Sequence, residues 1–185
     1  LLVIVQARMG SQRFPGKSMF PFAGKPALQH LLEALLQTVE RSRLCVVTSQ
    51  DSTNEPISAL CSRQEVLCLQ GDENNVASRF LAVLLARPST YFARLSGDSP
   101  LFDFRLLDAA AALIEPADIV STALGKRYPS GMNVELMRSR VFQDAYPKFS
   151  TAGQLEHVTS YFYERGPELR RIALDCPLAD AGQGR

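Results

Sequence analysis

The chain has 185 residues, enough for one domain with its own core and with no need of a disulfide or metal staple. Apolar residues make up 46% and charged residues 21%, a globular balance that excludes disorder, collagen and coiled coil. The net charge of +1 excludes a globally basic nucleic-acid binder, and the longest apolar run, Phe80 to Ala86, falls far short of the ~20 residues that span a bilayer.

Leu1–Gln6 is a continuous apolar run, as in a strand covered on both faces. No basic residue precedes it, so it does not read as a secretory leader. Ala27–Glu40 carries Leu28, Leu31, Leu32, Leu35, Leu36 and Val39 at helical spacing, with His30 as a structural member. Arg43–Thr48 predicts a strand, Glu55–Arg63 a helix and Val66–Gln70 a third strand. Asn75–Arg87 predicts a helix capped by Asn74 or Asn75 and ended by Pro88. Thr90–Leu95 is a fourth strand, Asp103–Leu113 a helix and Asp118–Thr122 a fifth strand. The rhythm then loosens, with a strand at Val134–Met137, helices at Ser139–Tyr146 and Gly153–Arg165, and a last strand at Glu168–Leu174. The aromatic set Tyr161, Phe162 and Tyr163 reads as core and interface. Strand–helix alternation with buried-type strands predicts an α/β fold, a mainly parallel central sheet with helices on both faces. No linker divides it, so residues 1–185 are one domain, with 123–165 as an irregular segment. Ligands of such sheets bind at the carboxyl ends of the strands.

Cys45, Cys61, Cys68 and Cys176 include no C-x-x-C pair, and two histidines are too few to complete a zinc site. Free thiols in a reducing cytoplasm are the expectation, so the protein is placed there.

Charge is unevenly spread. Residues 1–32 hold Arg8, Arg13, Lys17 and Lys25 and no acid, while the remainder carries sixteen basic residues against nineteen acidic. The loop after the first strand, Ala7–Lys17, reads ARMGSQRFPGK. Two glycines let the backbone approach a ligand, three cations alternate with them, and Ser11 adds a hydroxyl. A polyphosphate needs this combination. It is not a P-loop: Gly10 and Gly16 enclose five residues rather than four, and Pro21 and Pro26 forbid the helix that must follow. Asp98, in LSGDSPLFD, follows the fourth strand through a glycine. A carboxylate there, opposite a phosphate loop, is where Mg²⁺ would be held. Asp103 reads instead as the cap of the next helix.

These segments resemble the cytidylyltransferase family that makes CMP-activated acidic sugars, CMP-KDO synthetase and acylneuraminate cytidylyltransferase among them. The similarity is strongest to the spore-coat polysaccharide biosynthesis protein F branch. It rests on VQARMGSQRFPGK and the AGKP turn, on VVTSQD, GDENNVASRF and ARLSGDSPLFD, and then on GMNVEL, LEHVTSYFYERG and ALDCPLAD. The resemblance implies a Rossmann-like nucleotidyltransferase fold, CTP as nucleotide, Mg²⁺ as cofactor and a sugar acceptor. Arg8, Ser11, Arg13 and Lys17 match its CTP-phosphate positions, Lys25 its second basic turn, and Thr48, Ser49 and Arg79 its nucleoside side, with Ala7 and Gly10 also in the nucleotide-binding set. Arg8, Arg13, Lys17 and Asp98 are the catalytic set, Asp98 and Asp175 the metal carboxylates, and Asn133, Glu135 and His157 the acceptor side. It also implies a homodimer, with the stretch between Gly125 and Ser150 as the contact, and neither nucleic acid nor membrane as partner.

Departures from the family pattern are Asn133 for a carboxylate, Leu155 for a cation, Cys176 for threonine and the closing AGQGR. They leave a non-catalytic nucleotide-binding homologue as one alternative. A nucleotide-sugar glycosyltransferase is another, although Gly97-Asp98-Ser99 lacks the paired carboxylates of that class.

Overall fold

The computed structural model describes residues 1–11, 14–125, 128–129, 131–164 and 169–175. The chain opens with β1 (Leu2–Gln6), a long loop with a 3-10 turn at Lys17–Met19, and a small hairpin of β2 (Pro21–Phe22) and β3 (Lys25–Pro26). Then come α1 (Ala27–Leu35), β4 (Leu44–Ser49), α2 (Glu55–Arg63), β5 (Leu67–Gly71), α3 (Val76–Ala86), β6 (Tyr91–Ser96) and α4 (Arg105–Leu113). The last part holds β7 (Ile119–Ser121), β8 (Glu135–Arg138), α5 (Ser139–Ala145), α6 (Ala152–His157), α7 (Ser160–Glu164) and β9 (Arg171–Ala173).

Seven strands form one sheet in the order β5-β4-β1-β6-β8-β7-β9. All its pairings are parallel except the two made by β8, so the mainly parallel expectation holds. The unbroken apolar run of β1 has a direct cause. Val3 and Val5 pack in one core with α1, α2 and α4, while Leu2 and Ile4 pack in a second core with α3, α5 and α7. A strand covered on both faces has no solvent side on which to place polar residues.

The helices follow their stripes. Leu28, Leu31, Leu32 and Leu35 of α1 are fully buried. The helix stops at Leu35 rather than continuing to Glu40, because the amides of Gln37 and Thr38 turn back onto the Ala34 and Leu35 carbonyls. Asn75 caps α3 by accepting from the Ser78 amide at 2.9 Å. At α6, Thr151 and Gln154 form a reciprocal capping box.

From β1 the chain builds outward through β4 and β5, then returns to lay β6 on the other side of β1. The carboxyl ends of β1 and β6 are thus a topological switch point, where open α/β sheets bind ligands. Because β8 runs antiparallel, its first residue, Glu135, lies at this same edge, opposite Arg94 of β6.

The single helix expected over Gly153–Arg165 is two helices. Val158 lies between them with φ 59° and ψ −52°. The small hairpin of β2 and β3 was not anticipated either.

Candidate active site

The register of β1 and β6 explains the site. Ile4 sits beside Arg94 and Gln6 beside Ser96. On this face the lower residues, Leu2, Ile4 and Phe92, enter the core, and the upper ones, Gln6, Arg94 and Ser96, are polar. They floor a cleft of about 550 Å³. One wall is the loop after β1, with Arg8, Ser11, Lys17 and Ser18; the other is the end of α6, with Glu156 and His157.

The strand ends are tightly joined. The Gly97 amide donates to the Gln6 carbonyl at 2.8 Å, and a Cβ on Gly97 would stand 2.8 Å from that of Ala7. The loop then folds back on Met9, whose carbonyl accepts from the amides of Ser11 at 2.9 Å and Gly16 at 2.8 Å. Gly16 takes φ 73°, which favours glycine.

Each cation of the cleft is matched with a carboxylate from another segment. Arg8 pairs with Glu156 of α6 at 2.6 Å, Lys17 with Asp98, and Arg94 with Glu135 of β8. Burial works to raise the Asp98 pKa. The Lys17 ammonium and the Ser96 hydroxyl, both bonded to the carboxylate, outweigh it, and the net shift is downward. Glu135 is 6% exposed and also accepts from the Tyr163 hydroxyl, so it faces Arg94 rather than the cleft. Arg94 is further held by Gln6 Oε1 at 3.2 and 3.3 Å and by Thr159 Oγ1 at 3.3 Å.

Other expected residues act behind the cleft or beside it. Ser49 accepts from Asn54 Nδ2 at 2.7 Å, and Asn54 Oδ1 accepts from the Met9 amide at 2.8 Å, so Ser49 braces the start of the loop. Thr48 is buried, and its hydroxyl has no partner among the described residues. Arg79 is 1% exposed and donates to the Asp72 carbonyl at 2.8 Å and the Glu73 carbonyl at 2.9 Å. Its Nη1 has no partner among the described residues, and burial together with the nearby Arg8 lowers its pKa. Lys25 lies on the hairpin, paired with Glu33 at 2.8 Å. Asn133 is exposed on the site edge of the sheet, two residues before β8. Asp175 follows β9 at the same edge, three strands from β6, and its carbonyl accepts from the Tyr128 hydroxyl at 2.8 Å. Gly10 lies in the loop with Glu73 as its neighbour. Arg13 and Cys176 lie outside the described residues. Among those residues, no three histidine, cysteine or acidic side chains form a ready-made metal cage.

Sequence reasoning missed Arg94 and Glu156. The signal for Arg94 was present: Arg94 and Ser96 alternate with apolar residues at the end of an otherwise buried-type strand. Glu156 was quoted within its motif but assigned no role.

The end of α6 carries backbone strain. Val158 is β-branched, fully buried and at positive φ. The Thr159 amide donates to the His157 carbonyl at 2.5 Å, closing a γ-turn of the strained, positive-φ kind. Such a conformation costs on the order of 1–3 kcal/mol and persists only where its surroundings enforce it.

A family model described as Cytidylyltransferase matches residues 2–166. The spore coat polysaccharide biosynthesis protein SpsF of Bacillus subtilis (strain 168) is 30% identical over 96% of this chain and 75% of its own. A cytidylyltransferase from Leptospira borgpetersenii serovar Hardjo-bovis (strain JB197) matches with TM-score 0.89 at 22% identity, over 95% of this chain and 76% of that one. CMP:2-keto-3-deoxy-manno-octonic acid synthetase complexed with CTP matches with TM-score 0.67 at 17% identity, over 95% and 90%. These two structures show the shared fold. The family model covers the loop after β1, the Gly97-Asp98 turn and the α6–α7 wall together, and on that match the chain belongs to the cytidylyltransferase family.

Proposed function

We propose that the protein transfers CMP from CTP to a hydroxyl of an acidic sugar, releasing pyrophosphate, for surface polysaccharide or glycan synthesis. The observation that carries this reading is the trio Arg8, Lys17 and Arg94 converging on one cleft at the switch point. A triphosphate is the compact polyanion such a cleft suits, since Arg8 and Lys17 reach it from the loop after β1 and Arg94 from its floor, and arginine and lysine are the side chains that grip phosphate oxygens. The names of the relatives support the rest: one is a synthetase of a CMP-linked sugar acid, another serves spore coat polysaccharide.

Asp98 fits a divalent cation. It is a partly buried carboxylate held in its charged form beside the phosphate wall. Mg²⁺ characteristically takes one or two carboxylates and fills its shell with phosphate oxygens and water. Asp98 is the residue that would hold it, with Asp175 as the second carboxylate on that edge. When bound, the ion would withdraw charge from the leaving phosphates. The chain's own residues bind and orient: Lys17 and Arg8 grip the phosphates, Ser11 and Ser18 offer hydroxyl donors, and the α6 wall faces the acceptor. Catalysis of this kind is positioning and electrostatics, without a covalent enzyme intermediate.

The test is pyrophosphate release from CTP and Mg²⁺ with a panel of acid and neutral sugars. Release with a sugar acid, and not with its neutral analogue, is the expected result. Release with neutral sugars alone would remove the acidic acceptor, and release with none would remove the transfer reaction.

A further inference from the structure

We infer that His157 accepts the proton of the attacking hydroxyl, and that the γ-turn at Val158 holds it over the cleft. This rests on the CMP-transfer reading and deepens it. In that reaction the bond from acceptor oxygen to the α-phosphorus forms and the bond from α-phosphorus to the β-phosphate oxygen breaks. Pyrophosphate leaves with the electron pair, and the hydroxyl proton must go to a base.

Among the described residues, the cleft offers few bases. Arg8, Lys17 and Arg94 are cations, and the serines and Gln6 are poor proton acceptors. Glu156 is engaged by Arg8 at 2.6 Å. That leaves the exposed imidazole of His157, on the wall opposite the phosphate loop. Imidazole is the side chain best suited to taking a proton near neutral pH. The charged groups around it come from every neighbouring element. They are Glu156 on its own helix, Arg8 and Lys17 from the loop after β1, Arg94 of β6, Arg79 of α3, which packs on α6, and Glu164 of α7.

The spacing of the buried residues does not call for the break in the helix. Val158, Tyr161 and Phe162 are all buried and lie at i, i+3 and i+4, so one straight helix would bury them on one face without strain. The strained turn is instead clamped from the site. The His157 carbonyl accepts from the Thr159 amide at 2.5 Å and from the Thr159 hydroxyl at 3.1 Å. The same hydroxyl accepts from Arg94 Nη1 at 3.3 Å, and Arg94 is fixed by Gln6 and Glu135. A chain of bonds thus runs from the strand floor to the residue that displays the imidazole. Thr159 is a positioning residue.

The experiment measures pyrophosphate release with CTP, Mg²⁺ and a panel of sugar acids beginning with 3-deoxy-manno-octulosonate. Wild type, His157→Ala, Thr159→Val and Thr159→Ser run in parallel, with CTP affinity taken by calorimetry. His157→Ala, a change at an exposed position, is expected to lower kcat by about 10²–10⁴-fold. It should leave CTP affinity unchanged, flatten the acid limb of the kcat profile and respond to added imidazole. Thr159→Val should lower kcat, and Thr159→Ser should retain most of it. Wild-type turnover matched by His157→Ala would overturn the inference alone, as would a loss with an unchanged pH profile and no imidazole rescue. A wild type that binds CTP but releases pyrophosphate with no acceptor would overturn the transfer reading and this inference with it.

Discussion

At Gly97 the sheet leaves no room for a side chain: a Cβ there meets the Ala7 Cβ at 2.8 Å and the Gln6 carbonyl at 3.2 Å. Gly97→Ala should therefore force β1 and the β6 turn apart and cost about 1–3 kcal/mol in chemical denaturation. Lys17 carries two separable effects. As a phosphate grip, Lys17→Ala should lower kcat by roughly 10²–10³-fold, by analogy with a lost oxyanion donor. As the partner of Asp98, it keeps that carboxyl below its ordinary 3.8. A depressed carboxylate contributes stability that is present above the ordinary value and is lost as pH falls through the folded one. Removing Lys17 removes that contribution, so Lys17→Ala should be less stable than wild type near neutral pH, and the difference should shrink as pH falls below 3.8, read by denaturant unfolding followed by circular dichroism. The position of Arg8, Ser11 and Lys17 on the cleft, with Asp98 beside them, was legible in the sequence because charge, glycine and strand end coincide there. The ion pair that fixes Arg94 was not, because Glu135 lies 41 positions away and only the pairing of β6 with β8 brings them together.

Among the elements, β8 decides which residues the site can use. Its antiparallel course sets Glu135 beside Arg94, and Glu135→Ala would strand a largely buried guanidinium. Losing one partner of a buried pair costs ~3–5 kcal/mol, and the 23% exposure of Arg94 points to the low end of that range. The same variant should weaken the clamp on Thr159, so catalysis falls with stability. The strand itself was legible from its apolar run, but its direction was not, because periodicity carries no polarity. The γ-turn was hidden for a sharper reason. Val158, Tyr161 and Phe162 keep helical spacing across the break, so the pattern predicts one continuous helix. Arg138 and Glu115, by contrast, tie β8 to the end of α4 at the surface, remote from the cleft.

For the whole molecule, the net charge of +1 conceals the arrangement that matters. The acid-free opening segment, residues 1–32, brings Arg8 and Lys17 to carboxylates of α6 and of the turn after β6, while Arg94 of β6 pairs with Glu135 of β8. The layer structure was legible almost throughout, because β1 and β4 are buried on both faces and the helices carry single apolar stripes. Strand order was not legible, since the return of β6 to the side of β1 depends on long-range pairing. No helix among the described residues is long and apolar enough to cross a membrane. The central claim is that the cleft at this switch point holds CTP with a divalent cation at Asp98. Calorimetric titration with CTP, ATP, GTP and UTP, with and without Mg²⁺, in wild type and Asp98→Asn, tests it most directly. The account predicts CTP-selective binding that Mg²⁺ strengthens in wild type and not in Asp98→Asn. Binding of no nucleoside triphosphate, or equal binding of all four without a Mg²⁺ effect, would contradict it.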